Sequence, residues 1–292
     1  MKKLITLFVS LLILTSCSSS SEKLLLAGSG WNKLVIIDKE SKQIEWEYPL
    51  NAGWECNSVD MDKAGNILFS YSKGAQLITK DKKVLWDIPA PENCELQTAK
   101  VLPDGNYLLA WCGNPASIME VDSKGTISSQ IFFDTKIDVP HAQFRQVNKN
   151  NKGNYLIPLF QSSDLWEISP SANVVKQIPL EGTPFCTALL PNGNYLVACG
   201  DAHSYVELDI EGGDVVKEVQ ANDIEGISLR FVAQLLPTKQ GGLFLCNWQG
   251  HGTDPDFPDN PQLVELDNQG NIVWSLNDNA TFGMISTVCV VK

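Results

Sequence analysis

One short phrase recurs along this chain and constrains its fold more than any other feature. Anchored on a glycine, it reads AGNILFS at Gly65, DGNYLLA at Gly105, KGNYLIP at Gly153, NGNYLVA at Gly193 and, degenerately, QGGLFLC at Gly241. The glycines are spaced by 40, 48, 40 and 48 residues. Self-similarity at this kind of period marks a repeat architecture, in which each unit buries its apolar surface on its neighbours. The phrase itself is a tight turn followed by an apolar strand. Gly supplies the positive φ, and Asn or Asp bonds the local backbone.

Each unit carries three further segments. A strand precedes the turn: CNSVDM, LQTAKVL, FRQVNK, CTALL and RFVAQLL. After the GNYL strand comes one that ends in an acidic turn, as in IMEVDSKG, LWEISPSA, YVELDIEG and LVELDNQG. The last strand often holds a tryptophan: Trp46, Trp86 or Trp274. Short strands joined by Gly, Asn and Asp turns, with almost no helical periodicity, predict an all-β protein. The two ends complement each other. Residues 22–49 supply the second, third and fourth strands of a unit, and residues 284–291 supply a first strand with nothing after it. Joined, they make one more unit. The prediction is a six-bladed β-propeller of four-stranded antiparallel blades, the last closed by one C-terminal and three N-terminal strands, which leaves no free sheet edge.

The N-terminus is set apart from this body. MKKLITLFVSLLILTSC has two lysines and an apolar run from Leu4 to Leu14, too short to span a bilayer as a helix. Leu14-Thr15-Ser16-Cys17 resembles the bacterial lipobox, whose Cys is lipidated after cleavage. The domain organisation expected is a lipoprotein signal peptide over 1–17 with Cys17 as the lipidation site, a tether over 18–22, and a single propeller over 23–292. Ser18 after the Cys is similar to the outer-membrane sorting pattern, on either the periplasmic or the cell-surface side. Without Lys2 and Lys3 the chain has 20 basic and 34 acidic residues, a net charge of −14. Nucleic acid is excluded as a partner by that balance. The seven cysteines beyond Cys17 show no CxxC or metal-ligand spacing, and most lie in apolar strands, where buried thiols are expected.

Propeller topology sorts the loops. Turns joining first to second and third to fourth strands share one face, here called the turn face, and they hold the repeated words. The unrepeated residues collect on the other, the channel face: Trp54 and Glu55 in AGWECN, Trp111 in WCGNPAS, His141 and Arg145 in VPHAQFR, Asp201 and His203 in CGDAHSY, and Trp248 and His251 in the longest insertion. These are the candidate ligand-binding residues, with His141 and Arg145 also the candidates for catalysis. Asp254, Asp256 and Asp259 offer three hard carboxylates for a cation, without EF-hand spacing.

LPDGNYLLAWCG and the EVDSKG…W pattern, over about residues 23–292, resemble the repeats of bacterial quinoprotein-like (PQQ-like) and arylsulfotransferase-type propellers. The second resemblance implies sulfuryl transfer through a histidine with arginine at the channel mouth. Only His141 and Arg145 match those roles, and VPHAQFRQ lacks the fuller signature. Other channel mouths carry Cys186 and Ser228 instead. No cofactor is expected. The reading is therefore a membrane-anchored extracytoplasmic module that binds a glycan, small molecule or protein, its aromatic residues and acidic mouth suiting a carbohydrate. The alternative is a transferase or hydrolase that uses His141.

Overall fold

The structure, a computed structural model, describes residues 21–209, 211–250 and 259–292. The chain opens with β1 (Lys23–Ala27), β2 (Lys33–Asp38) and β3 (Ile44–Pro49). Five complete blades follow. Blade 1 is β4 (Val59–Met61), β5 (Ile67–Tyr71), β6 (Gly74–Ile78) and β7 (Val84–Pro89). Blade 2 is β8 (Glu95–Val101), β9 (Tyr107–Cys112), β10 (Ala116–Val121) and β11 (Ile127–Phe133). Blade 3 is β12 (Asn148–Lys149), β13 (Tyr155–Leu159), β14 (Asp164–Ile168) and β15 (Val174–Pro179). Blade 4 is β16 (Cys186–Leu189), β17 (Tyr195–Ala198), β18 (Tyr205–Leu208) and β19 (Val215–Val219). Blade 5 is β20 (Phe231–Pro237), β21 (Leu243–Trp248), β22 (Leu263–Leu266) and β23 (Ile272–Leu276), and β24 (Thr287–Val290) ends the chain.

Within every blade, sequential strands pair antiparallel. Blade 6 has the order β24-β1-β2-β3, with Leu24 opposite Val290 and Ala27 opposite Thr287. The protein is thus the six-bladed propeller that the repeat and its complementary ends predict. Second and third strands such as β5, β9 and β10 are buried at every position, because a neighbouring blade covers each sheet face. Fourth strands sit at the rim, and β3 alternates half-buried with exposed residues. The repeated glycines Gly65, Gly105, Gly153, Gly193 and Gly241 all have φ between 82° and 93°, which a side chain would strain.

The repeated words hold blade to blade. The tyrosine of GNYL is buried in the seam with the preceding blade. Tyr107 Oη donates to Asp62 at 3.0 Å, Tyr155 Oη donates to Glu120 at 2.8 Å, and Tyr195 Oη accepts from Asn150 at 3.3 Å. The fourth-strand tryptophans join the rim rather than one blade's interior, each meeting the next blade's turn between third and fourth strands. Trp46 Nε1 donates to the Lys80 carbonyl at 2.7 Å and Trp274 Nε1 to that of Lys39 at 2.8 Å. Trp86 packs on Gly125, where a β-carbon would stand 3.0 Å from its ring. At the same strand position blade 3 carries Lys176, whose ammonium donates to the Glu211 carbonyl at 2.5 Å. The seven described cysteines are free thiols, all buried except the half-buried Cys94. Burial pushes the Cys56 and Cys112 thiols up to about 12.

The seam predicts a measurable stability effect. Tyr155→Phe removes a buried hydrogen bond to a carboxylate, so urea unfolding should show a loss of about 1.5–3 kcal/mol with an unchanged m-value. Unchanged stability would mean that the Tyr155–Glu120 contact does not hold the blades together.

Candidate functional site

The first strands converge on the axis, and their starts form the mouth of the channel. Eight residues before the turn glycines of blades 1 to 4 stand Asn57, Gln97, Arg145 and Phe185, so one register position supplies four successive blades around the ring. Below the mouth, side-chain amides fill the axis. Asn57 Nδ2 donates to Glu55 at 2.7 Å and to Gln97 at 3.2 Å, while its own Oδ1 accepts from Ser286 Oγ at 2.9 Å. Gln146 Nε2 donates to the Asn57 carbonyl at 2.7 Å, and its Oε1 accepts from Lys100 Nζ at 3.2 Å.

Above this floor lies a cavity of about 160 Å³. One side is aromatic: Phe160, Phe185, Phe231 and Trp248. The other is polar and includes Glu55, Asn57, His141 and Arg145. Phe231 packs edge-on against Phe185 with ring centroids 5.5 Å apart, and against Trp248 at 5.3 Å. Such packing fixes the wall before a ligand arrives.

His141 stands on a single 3₁₀ turn, Pro140–Ala142. The turn is held by Gln143, fully buried, whose amide reaches Gly113 and the Ile137 carbonyl. The His141 Nδ1 lies 2.8 Å from Glu95 Oε2 and 4.0 Å from Glu55 Oε2. Its Nε2 lies 3.1 Å from Arg145 Nη2. A neutral imidazole satisfies both contacts, with Nδ1–H donating to Glu95 and Nε2 accepting from the guanidinium. Arg145 is buried, donates to the His141 carbonyl at 2.8 Å and lies over the Phe160 ring at 5.1 Å. The bond to Glu95 raises the His141 pKa above the ordinary 6.5, against burial and Arg145, which lower it. The same bond lowers the Glu95 pKa below the ordinary 4.5.

The structure brings together Glu55, His141, Arg145 and Trp248 from the sequence candidates. The other candidates among the described residues do not line the cavity. Trp54 stacks on Tyr71 with centroids 3.8 Å apart, and Trp111 is buried against Phe132 at 6.4 Å. Asp201 is exposed beside Thr183 Oγ1. His203, at a positive φ of 56°, donates from Nδ1 to the Arg230 carbonyl. His251, Asp254 and Asp256 fall outside the described residues. Asp259 is exposed, and among the described residues no group of three His, Cys, Asp or Glu is placed to hold a metal. Sequence reasoning missed Glu95, Phe160, Phe185 and Phe231. Glu95 was findable, because it precedes Gly105 by the same ten residues that separate Glu55 from Gly65.

Fold and mouth together define a β-propeller with a small pocket at one end of its axis. Residues 27–271 match the family described as Mal s 1 allergenic protein-like, and the chain belongs to that family. It is similar to a protein of unknown function from Bacteroides caccae, known from a crystal structure, at 57% identity and a TM-score of 0.92, over 94% of this chain and 100% of that one. More distant structures share the fold alone. A streptogramin B lyase gives 13% identity and a TM-score of 0.63, over 89% of this chain and 81% of the other. A chain of a nidogen/laminin complex gives 9% and 0.66, over 93% and 99%. No curated protein matches the chain.

The His141–Glu95 pair sets a pH window. Glu95 loses its proton below the ordinary 4.5 and His141 keeps its proton past the ordinary 6.5, so the pair contributes fully between those values. That contribution is lost as pH falls through the folded pKa of Glu95, and again as pH rises through that of His141. The stability gap between wild type and Glu95→Gln should therefore be widest between pH 4.5 and 6.5. An NMR titration should also show the His141 midpoint falling in Glu95→Gln. A gap independent of pH, with an unmoved midpoint, would remove the ion pair.

Proposed function

We propose that this protein is an outer-membrane-anchored, extracytoplasmic binding module whose channel mouth takes a single sugar ring at the end of a larger ligand. The observation that carries the reading is the division of one small cavity into an aromatic and a polar side. At about 160 Å³ the space is comparable to the roughly 150 Å³ cavity that accommodates a benzene ring. It therefore suits one six-membered ring. Phe160, Phe185, Phe231 and Trp248 offer faces and edges to the apolar side of a pyranose. Glu55, Arg145 and His141 stand opposite, where hydroxyl groups need acceptors and donors. Anchoring through Cys17 rests on the lipobox-like Leu14-Thr15-Ser16-Cys17 and the short polar stretch after it. Asp201 and His203 on the neighbouring loops of the same face would meet the rest of the ligand.

A second reading has its own support: an imidazole oriented by a carboxylate beside a pocket is the arrangement of a general base. In that reading His141 acts on a bound substrate as a transferase or hydrolase residue. Against it, the Nε2 lone pair that a base or nucleophile would use already accepts from Arg145. Binding is the better supported of the two.

The test is a glycan and aryl-ligand screen on the soluble form lacking residues 1–17, followed by calorimetry. Sugar binding should weaken tenfold or more in Trp248→Ala and in Glu55→Gln, a loss of about 1.4 kcal/mol or greater. Aryl ligands binding in place of sugars, or sugar binding indifferent to both substitutions, would sink the carbohydrate assignment. Chemical turnover of the bound ligand that His141→Ala abolishes, with binding retained, would establish the enzymatic reading instead.

A further inference from the structure

We propose that the turn face of the propeller lies against the membrane surface and holds the channel mouth out on the far side. The proposal rests on the anchoring of Cys17. Its geometry comes from where the chain joins the ring. Strand β1 is second from the axis in blade 6 and begins at Lys23 on the turn face. Ser21 and Glu22 line a cleft there of about 750 Å³, together with Asp60, Lys80, Lys239 and Lys292.

Lengths decide the orientation. Four residues, 18–21, lie between Cys17 and Glu22, so the two are joined by five Cα steps that extend at most about 18 Å. Two strands at roughly 4.8 Å spacing, plus the outward side chains of the rim, lie between β1 and the edge of the disc, about 15 Å in all. A propeller lying on its rim would use most of the tether merely to cross the face. A propeller with its mouth down would need the tether to cross the face and then climb a strand of five residues, about 17 Å more. The mouth-down orientation is out of reach, and the turn face meets the headgroups with the most slack in the tether.

Charge agrees with length. Four lysines (23, 80, 239 and 292) and two carboxylates, Glu22 and Asp60, line the cleft, which is locally basic in a chain of net negative charge. The channel mouth presents Glu55 and Glu95 against Arg145, and Glu92 and Asp138 against Lys73 line the adjoining cleft, so the carboxylates outnumber the cations there. Anionic phospholipid headgroups attract the first surface and repel the second.

The experiment uses the lipidated full chain in vesicles of phosphatidylethanolamine and phosphatidylglycerol that carry a headgroup acceptor dye. In a Cys94→Ser background, a donor dye is placed by Lys124→Cys on the turn face or by Val139→Cys on the channel face, both positions being exposed. Energy transfer should be several-fold higher from position 124 than from 139. Inserting a long Gly/Ser linker after Ser20 should erase most of that difference. Equal transfer from both sites in protein whose mass shows lipid on Cys17 would overturn the orientation and leave the anchor standing. Absence of lipid on Cys17 would overturn both. A difference that persists through the long linker would overturn the tether as its cause.

Discussion

Pairing of β24 with β1 joins residues from opposite ends of the sequence, and the rest of the molecule depends on that junction. An open array of five blades and a three-stranded remnant would expose one sheet edge and two uncovered blade faces. Closure also completes the axis. Thr287 Oγ1 accepts from the Val59 amide at 3.2 Å, and the Val288 amide donates to Gln234 Oε1 at 2.7 Å, so β24 bonds to the first strands on both sides of it. Ser286, just ahead of β24, holds Asn57, and Asn57 in turn touches Glu55 and Gln97. A buried amide left without a partner costs about 1–3 kcal/mol, so this network holds only when β24 is docked in the ring. The floor of the pocket and the closure of the ring are one construction.

That floor makes the mouth a blind pocket instead of a tunnel. A ligand enters from the channel face, and its innermost part meets whichever residue each first strand places at the top of the axis. Around the ring these residues change from carboxylate and amide in blades 1 and 2, to His141 and Arg145 in blade 3, to Phe185 and Phe231 in blades 4 and 5. Radial repetition supplies positions of equal depth, and the unequal side chains at those positions supply chemistry. The pocket has a polar and an apolar side because neighbouring blades carry different side chains at the starts of their first strands.

The same logic explains how much was legible in the sequence. Turn glycines, strand order and complementary ends are local or periodic signals, so the blade count and the closing strand could be read directly. GNYL was recognisable as a turn and a strand, but its tyrosine was not recognisable as seam chemistry. Tyr155 meets Glu120, 35 residues away, and that contact exists only once two blades pack. Sorting loops by face found His141, Arg145, Glu55 and Trp248, since the sort needs only topology. It admitted Trp54 and Trp111 too, because knowing the face does not reveal depth; one stacks on Tyr71 and the other turns into the core. Phe185 and Phe231 escaped because an aromatic residue in an apolar strand reads as core until the axis is seen to pass beside it.

Arg145 ties these parts into one balance. Its guanidinium donates to the His141 Nε2, covers Phe160 and donates to the backbone carbonyls of His141 and Phe144. An imidazole protonated at Nε2 can no longer accept from it, so the proton that Glu95 favours on His141 is one that the present position of Arg145 opposes. A ligand group that draws the guanidinium away frees the lone pair and removes that opposition. By linkage, whatever ligand binding does to the proton affinity of His141, protonation does to ligand affinity in equal measure. The protonation of His141, exposed at the mouth, is thus coupled through Arg145 to the pocket wall that Arg145 helps to form.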